Sequence, residues 1–397
     1  IAPDASKIAA LVSDAPFNWA WYAARLVLFD LPSGEVIPLY APDKQMTGLS
    51  WSPDNRSIAL ISSTWSDQGM TGGDVVIVDG TSGQATTITP GHPRSYLSAT
   101  WEDATRLLCA AIEDGESTIG YLSLDGGWQP RWREKASILR WGGQPFTVTR
   151  TENTTRIAAA IARPDAPAEV YVAEIRDDQF QWQRLTDANP TLRERSFPSI
   201  DTLHWESGDG TRIQGLLVRP IDVSEGPRPT IVLIHGGPTS LWSHEFHGTR
   251  SMGWVQLMAA EGYAVFLPNP RGSMGFGTAF AEANIGDTGW GRPGRHPLGS
   301  RLSGDRRNCQ PGTPRRRRME LRRIPDAVGD HSDDSVQGCC LRRVDHELGV
   351  VPRRLDDPGL RQCLLRGRSL QLGWPLRTVL TDGARSQRHD AHAVSSR

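Results

Sequence analysis

Four segments of the chain repeat one another at an interval of about fifty residues, and no other feature restricts the fold as strongly. They are IAPDASKIAALVSD at Ile1, LSWSPDNRSIALISS at Leu49, LSATWEDATRLLCAAIED at Leu97 and FTVTRTENTTRIAAAIARPD at Phe146. Asp4, Asn55, Asp103 and Asn153 align as their polar turn residues. Each turn leads into an apolar strand, and a second strand follows in RLVLFDL, DVVIVDG, TIGYLSL and EVYVAEI. Short strands with turn signals at this period describe blades of a β-propeller, where each sheet buries a face against the next. A β-sandwich would also supply short strands, but not so long a repeat. The expectation is a partial β-propeller of about four blades over residues 1–197. The chain starts at Ile1, inside a repeat, and so reads as truncated at its N-terminus; a targeting segment upstream would be invisible.

The pattern changes after LRERSFPSIDTLHW. DTLHWESGDGTRIQGLLVRP reads as a β-hairpin across Gly208-Asp209-Gly210. RPTIVLIHGG is a continuous apolar strand of the kind buried on both faces of a parallel sheet. EFHGTRSMGWVQLMAAEGY has helical spacing through Trp254, Leu257, Met258 and Gly262, and AVFLPNPRGSMGFG is a second buried strand running into a Gly-rich loop. Strand, helix, strand in this order predicts the start of a doubly wound α/β sheet over residues 198–291. Chemistry collects at the carboxyl ends of such strands. There His235, Gly236, Gly237 and Pro238 end the first strand, and Arg271, Gly272 and Ser273 end the next. Glycines at a strand exit let backbone N–H groups approach a reacting carbonyl and donate to its oxyanion; the same turn also serves as a plain tight exit. Ser273 lacks a G-x-S-x-G frame and reads as a turn residue.

The last quarter has a different composition. From Gly291 to Arg397 there are 22 Arg, no Lys, Phe or Tyr, and one Ile, Ile324; with 12 acidic residues the span carries 22 − 12 = +10, so the rest of the chain carries −11 to give the net −1. Few aromatic and β-branched residues remain to offset chain entropy, so residues 292–397 read as irregular or disordered. Cys309, Cys339, Cys340 and Cys363 fall in this span, and with His331 and His346 they match no zinc spacing. Cys109 reads as a small buried hydrophobe. No metal and no cofactor are expected, and no apolar run reaches the ~18 residues of a membrane helix. Few plausible disulfides suit a cytoplasmic setting.

The segments SGDGTRIQGLLVRP, IVLIHGGPTS and FLPNPRGSMGFGTAFAEANIGDTGWG, placed after a propeller, resemble the prolyl oligopeptidase family, in particular its acylaminoacyl-peptidase and dipeptidyl-peptidase-like branch. The resemblance covers Ile1 to about Gly291. It implies a serine peptidase acting on short peptides through an acyl-enzyme, with a Ser-Asp-His triad in that order and a propeller restricting access. It puts His235, Gly236 and Gly237 beside the oxyanion hole and Arg271 and Gly272 on the substrate side. It also implies a GGWSYGG-like nucleophile elbow further on, and no G-x-S-x-G occurs after Gly291.

Shifting the reading frame offers an explanation. If new codons take the last two bases of each codon and the first of the next, Met319 into Glu320 gives TGG, which encodes only Trp. Glu320 into Leu321 then permits Ser or Asn, Leu321 into Arg322 permits Tyr, and the flanking Arg codons permit Gly-Gly. GGWSYGG is therefore allowed across Arg317 to Ile324. The expectation is a frameshift between Trp290 and Arg295, with nucleophile, Asp and His lost to the misread segment and the chain as written inactive. Apolar surface on Ile231–Ile234 and Ala264–Leu267 should then be left exposed or loosely covered.

Two other function classes compete. Four consecutive arginines in a basic tail form an electrostatic footprint for nucleic acid. Against it, the arginines are scattered among Gly, Pro, Asp and Leu and no aromatics interleave for stacking, so nucleic acid is not the expected partner. A non-catalytic scaffold of propeller and degenerate hydrolase remains open, since fold does not fix function. A lipase or esterase shares the His-Gly-Gly exit, but the repeats favour the peptidase, with peptide substrates as the partner.

Overall fold

The computed structural model describes residues 1–14, 17–138, 143–151, 154–176, 179–221, 229–248 and 254–286, and the backbone of strands at 338–344 and 347–351. The chain divides into units Ile1–Val351 and Pro352–Arg397, and the second lies outside the described residues.

Four antiparallel sheets follow one another, each a meander in chain order. The first holds β1 (Lys7–Val12), β2 (Arg25–Asp30) and β3 (Val36–Tyr40). The second holds β4 (Gln45–Trp51), β5 (Ser57–Ser63), β6 (Asp74–Asp79) and β7 (Ala85–Thr87). The third holds β8 (Ser95–Trp101), β9 (Arg106–Glu113), β10 (Glu116–Ser123) and β11 (Trp128–Glu134). The fourth holds β12 (Phe146–Arg150), β13 (Thr155–Arg163), β14 (Ala166–Arg176) and β15 (Gln179–Arg184).

The repeated turns precede β1, β5 and β9, and they correct the alignment by one residue. Asp4 accepts from the backbone N–H of Ser6 at 2.9 Å, Asp54 from that of Arg56 at 3.1 Å and Asp103 from that of Thr105 at 2.8 Å. Each carboxylate thus closes the same Asx-turn two residues on, so Asp54, not Asn55, corresponds to Asp4 and Asp103. Asn55 matches Ala5 instead, both with positive φ. Asn153 lies outside the described residues.

The sheets stack through strands that are apolar on both faces. On β9, Leu107, Cys109 and Ala111 join Ala59, Ile61 and Val75 of the second sheet, while Leu108 and Ala110 join Phe146, Ile157 and Ala159 of the fourth. On β5, Ile58 and Leu60 point the other way, to Leu26 and Leu28 of the first sheet. Because successive side chains alternate between faces, a strand buried on both sides reads as an unbroken apolar run such as LLCAAI. Cys109 is completely buried, as its apolar neighbourhood implied, and burial raises its thiol pKa far out of the reactive range.

A fifth, mixed sheet follows, with spatial order β16-β17-β19-β18-β20-β21. Strands β16 (Ile200–Glu206) and β17 (Arg212–Val218) form the expected hairpin, and Gly210 takes φ +81° in its turn. Strand β18 (Thr230–Leu233), helix α1 (Trp254–Ala260) and strand β19 (Ala264–Asn269) form the expected strand-helix-strand unit, with β18 and β19 parallel. The sheet is mixed and not simply parallel, because the hairpin brings β17 antiparallel onto β19. A short helix α2 (Thr278–Glu282) follows the Gly-rich loop.

Three expectations are corrected here. Helix α1 buries Val255 and Ala259, one turn apart; of the predicted positions Trp254 and Met258 pack against the same core, but Leu257 is 65% exposed. The surface of β18 and β19 is mostly covered: Ile231, Leu233, Val265 and Leu267 pack with Leu216, Val218, Trp242 and Val255, and only Ile234 stays open at 64%. Residues 292–397 are not irregular throughout, since β20 (Gly338–Val344) pairs parallel with β18 and β21 (Glu347–Val351) pairs antiparallel with β20. The runs GCCLRRV and ELGVV keep enough aliphatic and β-branched residues for strand pairing. The rest of that span lies outside the described residues.

Candidate active site

The carboxyl ends of β18 and β19 bring the predicted residues together. His235 is half-buried; its Nε2 lies 2.9 Å from the Ser273 hydroxyl and its Nδ1 2.9 Å from the Gly236 carbonyl oxygen. A carbonyl only accepts, so Nδ1 carries a proton in that contact. Burial lowers the His235 pKa, so at neutral pH the ring is neutral and Nε2 is an acceptor. The single Ser273 proton is then divided between Nε2 and the Pro270 carbonyl oxygen 2.6 Å away. Ser273 is completely buried. It ties the β19 exit to the β18 exit, as a turn residue does, and has no open face for a substrate.

The glycines differ in what they require. Among the described residues, a Cβ at Gly236 would meet nothing within 4 Å, so its backbone is open on that side to an approaching ligand. At Gly237, with φ +131°, a Cβ would fall 2.8 Å from the Thr239 amide nitrogen, and the peptide to Pro238 is cis. Thr239 fixes the far side of the loop, its hydroxyl 2.8 Å from that of Ser66 beyond β5 and accepting from the Ser66 N–H at 3.1 Å. Arg271 pairs with Asp209 of the β16–β17 turn at 3.5 Å, and Gly272 takes φ +98° with its N–H on the Phe280 carbonyl at 3.0 Å.

A Cβ at Gly272 would lie 2.1 Å from Asn284 Nδ2, whereas at Gly91, also at positive φ, it would meet nothing. Gly272→Ala is therefore expected to cost about 2 kcal/mol and Gly91→Ala about 1 kcal/mol, the excess being the clash. Urea unfolding of both variants measures this, and equal losses would show that Asn284 does not hold that position.

Sequence reasoning missed the supports behind the site. Asn269, completely buried at the end of β19, accepts from the Trp242 N–H at 2.7 Å and donates to the Trp242 carbonyl at 2.9 Å and to Gln214 Oε1 at 2.6 Å. The Trp242 indole N–H donates to the Leu233 carbonyl at 3.1 Å, and its ring meets His235 edge-on at 6.3 Å. Asn in PNPRG was visible, but its partners are 27 and 55 residues away. Among the described residues no three His, Cys, Asp or Glu side chains gather as a metal site would need, and no helix is long and apolar enough to cross a membrane.

No family model matches the chain. It is 31% identical over 190 residues to the uncharacterized peptidase YuxL of Bacillus subtilis, covering 47% of this chain and 27% of that protein. It is 29% identical over 205 residues to a probable dipeptidyl-peptidase 5 of Aspergillus niger, covering 50% and 27%. Among solved structures, the acylaminoacyl peptidase of Pyrococcus horikoshii matches with a TM-score of 0.51 at 21% identity, over 72% of this chain and 41% of that one. A puromycin hydrolase matches with a TM-score of 0.51 at 20% identity, over 72% and 43%. The chain thus spans about a quarter of the length of these curated relatives, and at such identities the structural likeness concerns the fold. Stacked β-meander sheets joined to a mixed α/β sheet are the fold the chain shares with these solved structures, and the relatives it matches in sequence are peptidases. These findings agree with the resemblance to the prolyl oligopeptidase family read from the sequence.

Proposed function

We propose that this chain is part of a serine peptidase that hydrolyses short peptides, acylaminoacyl or oligopeptide, through an acyl-enzyme. In this reading residues 1–197 supply four blades of a propeller, and residues 198–291 supply the N-terminal part of an α/β-hydrolase domain. The observation that carries it is the open backbone at Gly236, held between the His235–Ser273 and Ser66–Thr239 contacts at the exit of β18. A loop fixed on both sides, with room in front, suits donation to a developing oxyanion, because such donors act only when they need not reorganise. In the same reading Arg271 and Gly272 lie on the substrate side.

The nucleophile, its base and the orienting carboxylate belong, in this reading, to residues 292–397, which we take to be translated out of frame from between Trp290 and Arg295. The chain as written then keeps oxyanion donors without a triad. The test is to sequence the encoding DNA on independent template from the Gly286 codon to the stop. One base gained or lost near Trp290 supports the reading. An intact frame rejects it and leaves the scaffold alternative.

A further inference from the structure

We infer that the Asp114-Gly115 turn between β9 and β10 is a positioning element for the loop from Gly236 to His244. The inference goes beyond the peptidase reading and does not depend on it. Asp114 at φ +54° and Gly115 at φ +78° make a tight hairpin turn of the kind Asp-Gly favours. The turn projects from the third sheet onto the fifth. Its carboxylate lies 2.8 Å from His204 Nε2 on β16 and 3.8 Å from Arg212 on β17.

Three routes then lead from the turn to the loop. Directly, the Gly115 carbonyl oxygen lies 3.1 Å from Nδ1 of the buried His244, whose Nε2 lies 3.0 Å from the Thr202 hydroxyl. With the hydroxyl donating to Nε2, Nδ1 carries the proton that Gly115 accepts. By way of the Gly-rich loop, the Asp114 N–H donates to the Gly275 carbonyl at 3.0 Å, and the neighbouring Met274 N–H donates to the Ser240 carbonyl at 3.2 Å. By way of buried amides, Gln214 donates to the Asp114 carbonyl at 3.5 Å and accepts from Asn269, which holds both backbone groups of Trp242.

Gly115 has no room for a side chain, since a Cβ would lie 2.7 Å from Gln214 Nε2. The direct route and the amide route therefore share one close contact. Leu241 and Trp242 also anchor the loop in apolar clusters, but local opening is set by all the contacts a segment makes, so removing these long-range polar ones should raise it.

Amide hydrogen exchange of the full chain, read by mass spectrometry, tests this. In Gly115→Val, exchange at residues 236–244 is expected to rise about tenfold while β5 and β6 keep wild-type rates. Gln214→Met, of similar volume but without the amide, should speed exchange at 240–244 and leave the Asp114 turn protected. If Gly115→Val does not fold, Gln214→Met decides by the same readout. Wild-type rates at 236–244 in the variants, or a rise matched equally in β5 and β6, overturn the inference. Because exchange needs no catalysis, neither outcome depends on whether the peptidase reading holds.

Discussion

On the peptidase reading proposed above, a chain whose reading frame is restored between the codons for Trp290 and Arg295 is expected to hydrolyse short acyl-blocked or dipeptidyl chromogenic substrates, and the chain as written is expected not to. The difference should be on the order of a millionfold in kcat, the scale on which serine hydrolases lose rate when the triad acts as a unit and is removed. What the unrestored chain retains is the loop at Gly236 and its supports, and oxyanion donors have nothing to stabilise until a nucleophile attacks. Both chains should be expressed side by side, with a third restored chain in which the serine permitted at Glu320–Leu321 is replaced by alanine. Activity in the restored chain that is lost in the alanine version supports the elbow assignment. Activity that survives it, or equal activity in the original chain, would sink the assignment.

Much of the fold was legible because the signals were local. The fifty-residue repeat marks where each sheet turns, and runs such as LLCAAI mark strands buried on both faces. Where the reading slipped, the cause was physical. Asn55 aligned with Asp4 by polarity, but carboxylate hydrogen bonding makes Asp54 the equivalent residue and leaves Asn55 the positive-φ position. Leu257 looked like a core residue of α1 because aliphatic side chains usually are, yet Val255 and Ala259 fit against β17 and β19. The site was legible in part: a His-Gly-Gly exit and an Arg-Gly loop predict where backbone donors and turns lie. Its supports were not, because Asp114, Gln214, Asn269 and Trp242 meet across as many as 100 residues of sequence, and no period or spacing encodes such contacts.

Lowering the pH from 7 to 4.5 is expected to destabilise the fold by about 2.5 kcal/mol through His247 alone. This ring is 2% exposed, and burial pushes its pKa down from 6.5 to about 4. Its Nε2 donates to the Ser243 carbonyl at 3.0 Å, while Nδ1 is buried without a hydrogen-bond partner among the described residues; Glu245, at 3.8 Å, is too exposed to offset the lost hydration of a charged ring. Between about pH 6.5 and 4 the unfolded chain binds a proton that the folded chain refuses, so stability falls as pH drops through that window and is fully present above it. His235 and His244, also lowered by burial, act in the same direction. Carboxylates held low by hydrogen bonds, such as Asp209 beside Ser207 and Thr211, add to the loss in the same direction from about pH 5 downward, which is why the comparison with a His247 variant is needed to isolate the ring. Urea unfolding at pH 7 and 4.5 should show His247→Gln losing about 2.5 kcal/mol less than the natural chain over this interval, since glutamine can donate to Ser243 without a proton to gain. Equal losses in the two chains would mean that the ring is hydrated in solution, and that the packing of Trp242 against it at 5.6 Å is looser than the structure shows.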